Sequence, residues 1–445
     1  MKTTQADAAP GESAAAAVAE PPERSERSER SEPAVAKLIP LRRNIPFQTL
    51  WIGSTAATLG VAVADVAYPL AILALTGSPA DAGLFAAVQT SGMIVAGLPA
   101  GHLADRRSPR WLLVLAETGR VVISALVTLA LVQGRLTLGL LLVAAALLGA
   151  GQATTGAARK LLVRTVVPRE QLTRALTQDE VRISGGDLVG PPIGGTLYGL
   201  RVLAHAAPFL CTVLSFVLSL ISGLLVRAEP DRGGQSGAGS GAGAHGGKSG
   251  MFAGIKAIWH DPMLRATTTL LAIVNCICSG LTLIAVVILR DQSVSPAMIG
   301  VTLGGAAIGG LAGAPLVRPL HRLRPGALLV AVCGLLVPLV ALLAVPYGPW
   351  WMAGLLFIAF LGIPSIRVLV DVLILRQAPA AERGRVVGAV MTLITVGMPA
   401  GLAASGLLLQ YLSAQFSVLI LAGLLAVGVV ACASRRRLWA ARWPE

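Results

Sequence analysis

The chain has 445 residues, of which 55% are hydrophobic and only 13% charged. A soluble protein of that length with so little charge lacks the polar surface to cover its core, which leaves an all-helical integral membrane protein as the class. The formal net charge of +14 would suit phosphate neutralisation, but its placement along the chain argues for a bilayer and against nucleic acid.

Residues 1–45 are mostly Ala, Glu, Pro, Ser and Arg, with Arg-Ser-Glu triplets between Arg24 and Glu32. Such a segment buries too little apolar surface to offset its ordering entropy, so a disordered cytoplasmic tail is expected. It also lacks the apolar stretch of a cleaved signal peptide, so the first span must act as the insertion signal. Twelve apolar runs follow, near 47–75, 82–104, 111–132, 138–158, 178–200, 207–226, 266–289, 297–317, 326–345, 350–375, 386–411 and 414–433. Each supplies, or nearly supplies, the roughly 20 residues of helix that cross a hydrocarbon core. Of the basic residues, Arg135, Arg201 and Arg290 fall in alternate loops and Arg120 lies inside a span, while the remainder sit in the tails, the opposite loops or the adjoining span ends. That asymmetry predicts a multi-pass protein of the plasma (inner) membrane with both termini in the cytoplasm.

Cysteine adds no chemistry. Cys211, Cys276, Cys278, Cys333 and Cys432 all lie in apolar spans and offer no disulfide framework. Cys276 and Cys278 point to different helical faces and cannot form a metal site together.

Residues 227–262 connect the sixth and seventh spans, and their centre, Gly233 to Gly250, is nearly all Gly, Ser and Ala, the composition of a flexible coil. It divides the chain into two six-span halves, predicted at 46–226 and 263–433, with a basic cytoplasmic tail at 434–445. The halves read as a repeat. Val167-Pro168-Arg169-Glu170 after the fourth span answers Ala378-Pro379-Ala380-Ala381-Glu382 after the tenth, and Gly190-Pro191-Pro192-Ile193-Gly194 in the fifth answers Gly397-Met398-Pro399-Ala400-Gly401 in the eleventh. Interrupted helices are tolerated in a membrane where neighbouring helices re-satisfy the freed backbone groups, and a matched pair of them in two halves is the pattern of a secondary transporter.

Gly101-His102-Leu103-Ala104-Asp105-Arg106-Arg107-Ser108-Pro109-Arg110 joins the second and third spans. It resembles the signature loop of the major facilitator superfamily, Gly-x-x-x-Asp-Arg/Lys-x-Gly-Arg-Arg/Lys, with Ser108 in place of the second Gly and Pro109 in place of a basic residue. The resemblance implies an all-α fold of twelve membrane helices in two pseudo-symmetric six-helix bundles. It also implies a conformational latch at Gly101, Asp105, Arg106 and Arg110, whose carboxylate would meet the start of the eleventh span at Gly384-Arg385-Val386. A carboxylate against a helix N-terminus is worth about 0.3–1 kcal/mol. The equivalent loop of the second half, Gly313 to Arg322, has Val317 where the acid would be, so only the first copy can latch.

Phe252 to Arg265, which contains Trp259-His260-Asp261-Pro262-Met263-Leu264-Arg265, looks like the short amphipathic helix and lead-in to the seventh span of the branch holding macrolide-efflux proteins and the enterobactin exporter. Glu382-Arg383-Gly384-Arg385 fits the same branch. The resemblance implies a monomeric drug:proton antiporter in a lipid bilayer that handles a small molecule and protons and needs no cofactor, metal or nucleic acid.

Acidic residues inside spans are the candidates for coupling. A carboxylate in hydrocarbon costs about 2.5–3.5 kcal/mol on insertion scales, so it faces a cavity or a partner. Asp65, deep in the first span, and Asp187, near the middle of the fifth, are therefore candidate proton carriers, and Asp187 is equally a candidate for binding a cationic substrate or capping a kinked helix. Glu117 and Arg120, three apart on one helical face, are expected as an intramembrane ion pair, structural or proton-coupling. Arg367 and Asp371 repeat that logic at the membrane edge.

The resemblance implies a central cavity lined by the first, fourth, seventh and tenth spans, which offer Tyr68, Gln152, Thr155, Asn275, Ser279 and Phe357. Each alone is also ordinary helix-packing glue. So few polar groups suit amphiphilic cargo better than sugars. Ala242 to Ser249 matches a relaxed phosphate-loop pattern, but it lies in the Gly/Ser linker with no preceding strand, so nucleotide binding is not expected. The chain holds five histidines and no His-Glu-x-x-His, which speaks against a membrane enzyme. The expected activity is export of an amphiphilic drug or secondary metabolite by proton antiport, with ion-coupled uptake of a small solute and a non-transporting membrane sensor as the alternatives.

Overall fold

The computed structural model describes residues 41–200, 205–226, 259–260, 262–320, 324–345, 347–369 and 383–435. The expected disordered tail, the glycine-rich linker with the amphipathic helix expected up to residue 258, Asp371 and the last ten residues lie outside the described residues.

Twelve long helices account for nearly all that is described: α1 (Ile45–Thr76), α2 (Pro79–Arg106), α3 (Pro109–Val132), α4 (Leu138–Val166), α5 (Leu172–Gly199), α6 (Ala207–Leu225), α7 (Pro262–Asp291), α8 (Pro296–Gly313), α9 (Pro325–Leu342), α10 (Pro349–Leu361), α11 (Arg383–Tyr411) and α12 (Ala414–Ala433). No strand occurs among the described residues. Short polar signals set the starts. Ser78, Ser108 and Ser295 each accept a hydrogen bond from the backbone N–H three residues on, and each precedes a proline in the first turn. A serine cap supplies one missing acceptor, and the proline has no N–H that needs one. Asn44, Thr137 and Ser413 cap α1, α4 and α12 in the same way. At the other end of α1, Gly77 takes the left-handed conformation at φ 69°, which a glycine adopts at least cost.

Ten of the described helical segments are long and apolar enough to cross a membrane. The two helices below that threshold are α2 and α5. Both pack against the other half of the molecule, and they are built from Gly, Ala and polar residues where a lipid-facing helix would carry Leu and Val. The tenth expected span is broken, because α10 stops at Leu361, turns at Gly362 and resumes as helix over 363–369.

The packing is a two-fold pattern. In the first half α1 lies on α5 and α6, α2 on α4, and α3 on α4 and α6; in the second, α7 lies on α11 and α12, α8 on α10, and α9 on α10 and α12. Each pair becomes its counterpart when shifted by six helices. The halves meet through α2 with α11 and α5 with α8, two contacts that the same shift exchanges, as a pseudo-two-fold axis requires.

The paired Pro/Gly clusters occupy equivalent seams. A methyl on Gly194 of α5 would stand 2.6 Å from the Val63 carbonyl oxygen of α1, and one on Gly397 of α11 would stand 2.6 Å from the Ala272 carbonyl oxygen of α7. Neither helix could approach so closely with a side chain there. Asn275 and Ser279 of α7 donate to the Ile394 and Met398 carbonyls of α11 at 2.9 and 3.1 Å, on the turn interrupted by Pro399.

Candidate functional site

Seen from the chain path, the loops after α2, α4, α8 and α10 lie at one end of the bundle, here the basic end, and the loops after α1, α3, α7 and α9 at the far end. The tightest backbone seams between the halves are at the far end. Gly83 of α2 abuts the Leu402 carbonyl and Gly406 of α11, and Gly195 of α5 abuts Pro296 and Gly300 of α8. The Ser78 hydroxyl adds a hydrogen bond to Gln410 Oε1 at 2.9 Å. At the basic end, exposed Arg367 and Glu180 approach to 3.8 Å across the halves, a pairing of low energetic weight. The expected partner of Arg367, Asp371, lies outside the described residues.

Helix α1 is flanked by α2, α4, α5 and α6, and the residues on both sides of Asp65, Ala62 to Ala64 and Val66 to Tyr68, are buried. Asp65 itself is exposed. Its direction follows from its neighbours on the helix: Thr58, seven residues earlier and so on nearly the same face, touches Gly186 of α5, while Val61 and Tyr68 line a void with Leu148 and Gln152 of α4. Asp65 therefore opens between α4 and α5.

Asp187 is exposed on α5. It stands seven residues after Glu180, on the same helical face to within about 20°, and Glu180 reaches across to Arg367 in the helical stretch 363–369. The adjoining register of α5 is committed to α1, through Gly186 against Thr58 and Gly190 against Ala62. From that register Asp187 and Asp65 are separated by about 9 Å along the bundle, taking 1.5 Å of rise per residue.

Glu117 and Arg120 do pair, at 3.2 Å, but they are two members of a larger cluster. Arg159 of α4 donates to Glu117 Oε1 at 2.6 Å and to the Ser219 hydroxyl of α6 at 2.5 Å, and Ser219 donates to the same carboxylate oxygen at 2.8 Å. The Arg120 guanidinium lies 3.8 Å from the centre of the Phe216 ring. Glu117 is 0% and Arg120 3% exposed, so the core of the cluster is buried where α3, α4 and α6 meet, with Arg159 half-buried at its edge. A third arginine, Arg182 of α5, bonds Asp179 at 2.7 Å and the Ser54 carbonyl of α1 at 2.8 Å, and also meets Thr58.

Arg159, Ser219 and Arg182 are missing from the residues expected from sequence. Arg182 was within reach, because Asp179 precedes it at the three-residue spacing of a helical pair. Arg159 resembles every other arginine at the basic span ends, and its bond to Glu117 joins residues 42 apart.

The signature loop is described in part. Ser108 and Pro109, its two departures from the family pattern, are the cap and first residue of α3. Arg110 donates to the Gly223 and Leu224 carbonyls at 3.4 and 2.5 Å, so its charge closes the C-terminus of α6. Arg106 is exposed, and a methyl on Gly101 would meet open space. The Asp105 side chain and the Glu382 turn lie outside the described residues, while Gly384-Arg385-Val386 forms the first turn of α11.

The expected cavity wall is only partly a wall. Tyr68 is buried against Phe85 and Phe209 at ring separations of 4.5 and 5.1 Å, because its ring completes an aromatic core between α1, α2 and α6. Thr155 is also buried and returns its hydroxyl to the Gln152 carbonyl at 3.1 Å. Gln152 and Phe357 are half-buried. Asn275 and Ser279 are half-buried, with their side chains engaged by α11.

The Major Facilitator Superfamily profile matches residues 50–393 and, in a second alignment, 268–439. The chain is 28% identical over 404 residues to the multidrug efflux pump Tap of Mycolicibacterium fortuitum, covering 87% of this chain and 95% of that one. Among solved structures, a bacterial homolog to the human lysosomal transporter Spinster, inward-facing and unoccupied, superposes with a TM-score of 0.71 at 14% identity, over 90% of this chain and 98% of that one. The nucleoside transporter NupG does so with a TM-score of 0.69 at 14% identity, over 87% and 98%. These structural likenesses establish a shared fold. Twelve helices in two six-helix bundles, together with a profile match across almost the whole described chain, make this protein a multi-pass membrane transporter of the Major Facilitator Superfamily.

Proposed function

We propose that the protein exports an amphiphilic drug or secondary metabolite across the plasma (inner) membrane, in exchange for protons, by alternating access between bundles 46–226 and 263–433. Both termini and the 227–262 linker lie in the cytoplasm in this reading. The observation that carries it is Asp65: an exposed carboxylate on a helix whose surrounding residues are buried. In a membrane that arrangement is stable only beside an aqueous path or a partner. Asp187 stands on α5 between the register packed on α1 and the face from which Glu180 reaches the second half, and the two acids supply sites where protons load from the outside and leave to the inside. The similarity to a protein named as a multidrug efflux pump, with few polar side chains on the expected wall, favours amphiphilic cargo over small polar solutes.

Conformational control in this reading belongs to the α2–α3 loop, where Asp105, with Gly101 and Arg106, moves against the start of α11 while Arg110 remains a fixed post on α6. Glu117 and Arg120 act as a structural clamp.

The test is dye efflux from energised cells carrying Asp65→Asn, Asp187→Asn or both. Gradient-driven efflux is expected to be lost in at least one single variant, while downhill dye exchange persists. Proton-driven efflux that survives in both would remove these acids as carriers, and dye accumulation in place of efflux would favour the uptake reading.

A further inference from the structure

The buried cluster on α3, α4 and α6 does not balance. Two guanidinium groups, Arg120 and Arg159, share the single carboxylate of Glu117. Arg120 is 97% buried by its 3% exposure, its Nε has no hydrogen-bond partner among the described residues, and the Phe216 ring covers its face at 3.8 Å. A ring face offsets part of a cation's desolvation, but an unpaired charge in a low-dielectric interior remains expensive by several kcal/mol.

Arg120 also lines a small cavity inside the first bundle, with room for a single-atom guest or one water. The other polar groups on its wall are the Gln89 and Gln152 carboxamides, the Tyr68 phenol and the Thr212 hydroxyl, the last already spent on the Gly60 and Pro208 carbonyls. Among the described residues no carboxylate lines it, although Asp65 is next to Ala64 and one turn from Val61 and Tyr68 of the wall. The wall is therefore a guanidinium, two amides and a phenol, all able to donate, set among apolar side chains. That donor set, with its surplus positive charge, matches an anion, and the size of the cavity excludes organic acids.

We propose that this cavity binds a small inorganic anion, chloride under cellular conditions, as a fixed counter-ion that completes the charge balance of the first bundle. Arg120 sits midway along α3, too deep for lipid phosphates to serve in its place.

The test is thermal unfolding of the purified full-length protein in detergent, with sodium chloride exchanged for sodium gluconate at constant ionic strength. The unfolding midpoint is expected to shift upward with chloride and to saturate, with bromide effective and gluconate, too large for the cavity, ineffective. A general salt effect would not saturate in this way. Gln152→Leu removes one wall donor without touching the Glu117 ion pairs, so it should fold and lose the chloride-dependent shift; Gln89→Leu serves as an independent second variant. Equal midpoints in chloride and gluconate for the unaltered protein would overturn the proposal. So would a full chloride response in both variants.

Discussion

Replacing Glu117 with Gln would leave buried Arg120 and half-buried Arg159 with no carboxylate between them. Removing one partner of a buried ion pair typically costs about 3–5 kcal/mol, so Glu117→Gln should unfold well below the unaltered protein in a thermal melt. Glu180→Gln, which breaks only an exposed pair at 3.8 Å, should melt within about 0.5 kcal/mol of it. Equal behaviour of the two variants would refute the structural role given to the cluster. At this scale the sequence shows the intramembrane acids and the three-residue pairing of Glu117 with Arg120, because helical spacing alone brings those two together. It does not show that Arg159 and Ser219 join them, since that depends on how α4 and α6 dock. Tyr68 shows the same limit: a tyrosine in the first span suits a cavity wall or a core equally, and only packing places its ring against Phe85 and Phe209, from two other helices, beside a small internal void.

Helix starts explain the two departures of the signature loop. Ser108 and Pro109 replace a glycine and a basic residue of the family pattern, yet they form a cap and first turn that start α3. Losing a serine cap to alanine costs about 1 kcal/mol, and to glycine a few tenths. Ser108→Gly should therefore keep near-normal stability and transport while Ser108→Ala loses stability, a ranking opposite to helix propensity and measurable by thermal melts of the two variants. If Ala outperforms Gly, the cap is not what the serine provides. The Pro/Gly clusters of α5 and α11 are legible in sequence as a repeat. Their partners, α1 and α7, emerge only from packing, because many neighbours could accommodate a small residue.

On the scale of the molecule, the twelve helices and their six-plus-six division follow from apolar run length and the glycine-rich linker. The closed seam at the far end does not, because it consists of backbone-to-backbone contacts between glycines distant in sequence. Alternating access requires that seam to open. Ser78→Cys with Gln410→Cys places two thiols where a hydrogen bond of 2.9 Å now joins α2 to α11 across the halves. Oxidative cross-linking of this pair should stop transport and a reductant should restore it, with either single variant as control; unimpaired transport by the cross-linked protein would mean that the far end does not gate.

Everted membrane vesicles offer the most direct measurement, because the pH of their lumen can be set while a panel of amphiphilic fluorescent dyes is followed. With an acidic lumen, dye should accumulate inside as protons leave, and a protonophore or the Asp65→Asn, Asp187→Asn double substitution should abolish it. Vesicles that move no dye under any imposed pH difference, or that carry dye and protons in the same direction, would contradict proton-coupled export.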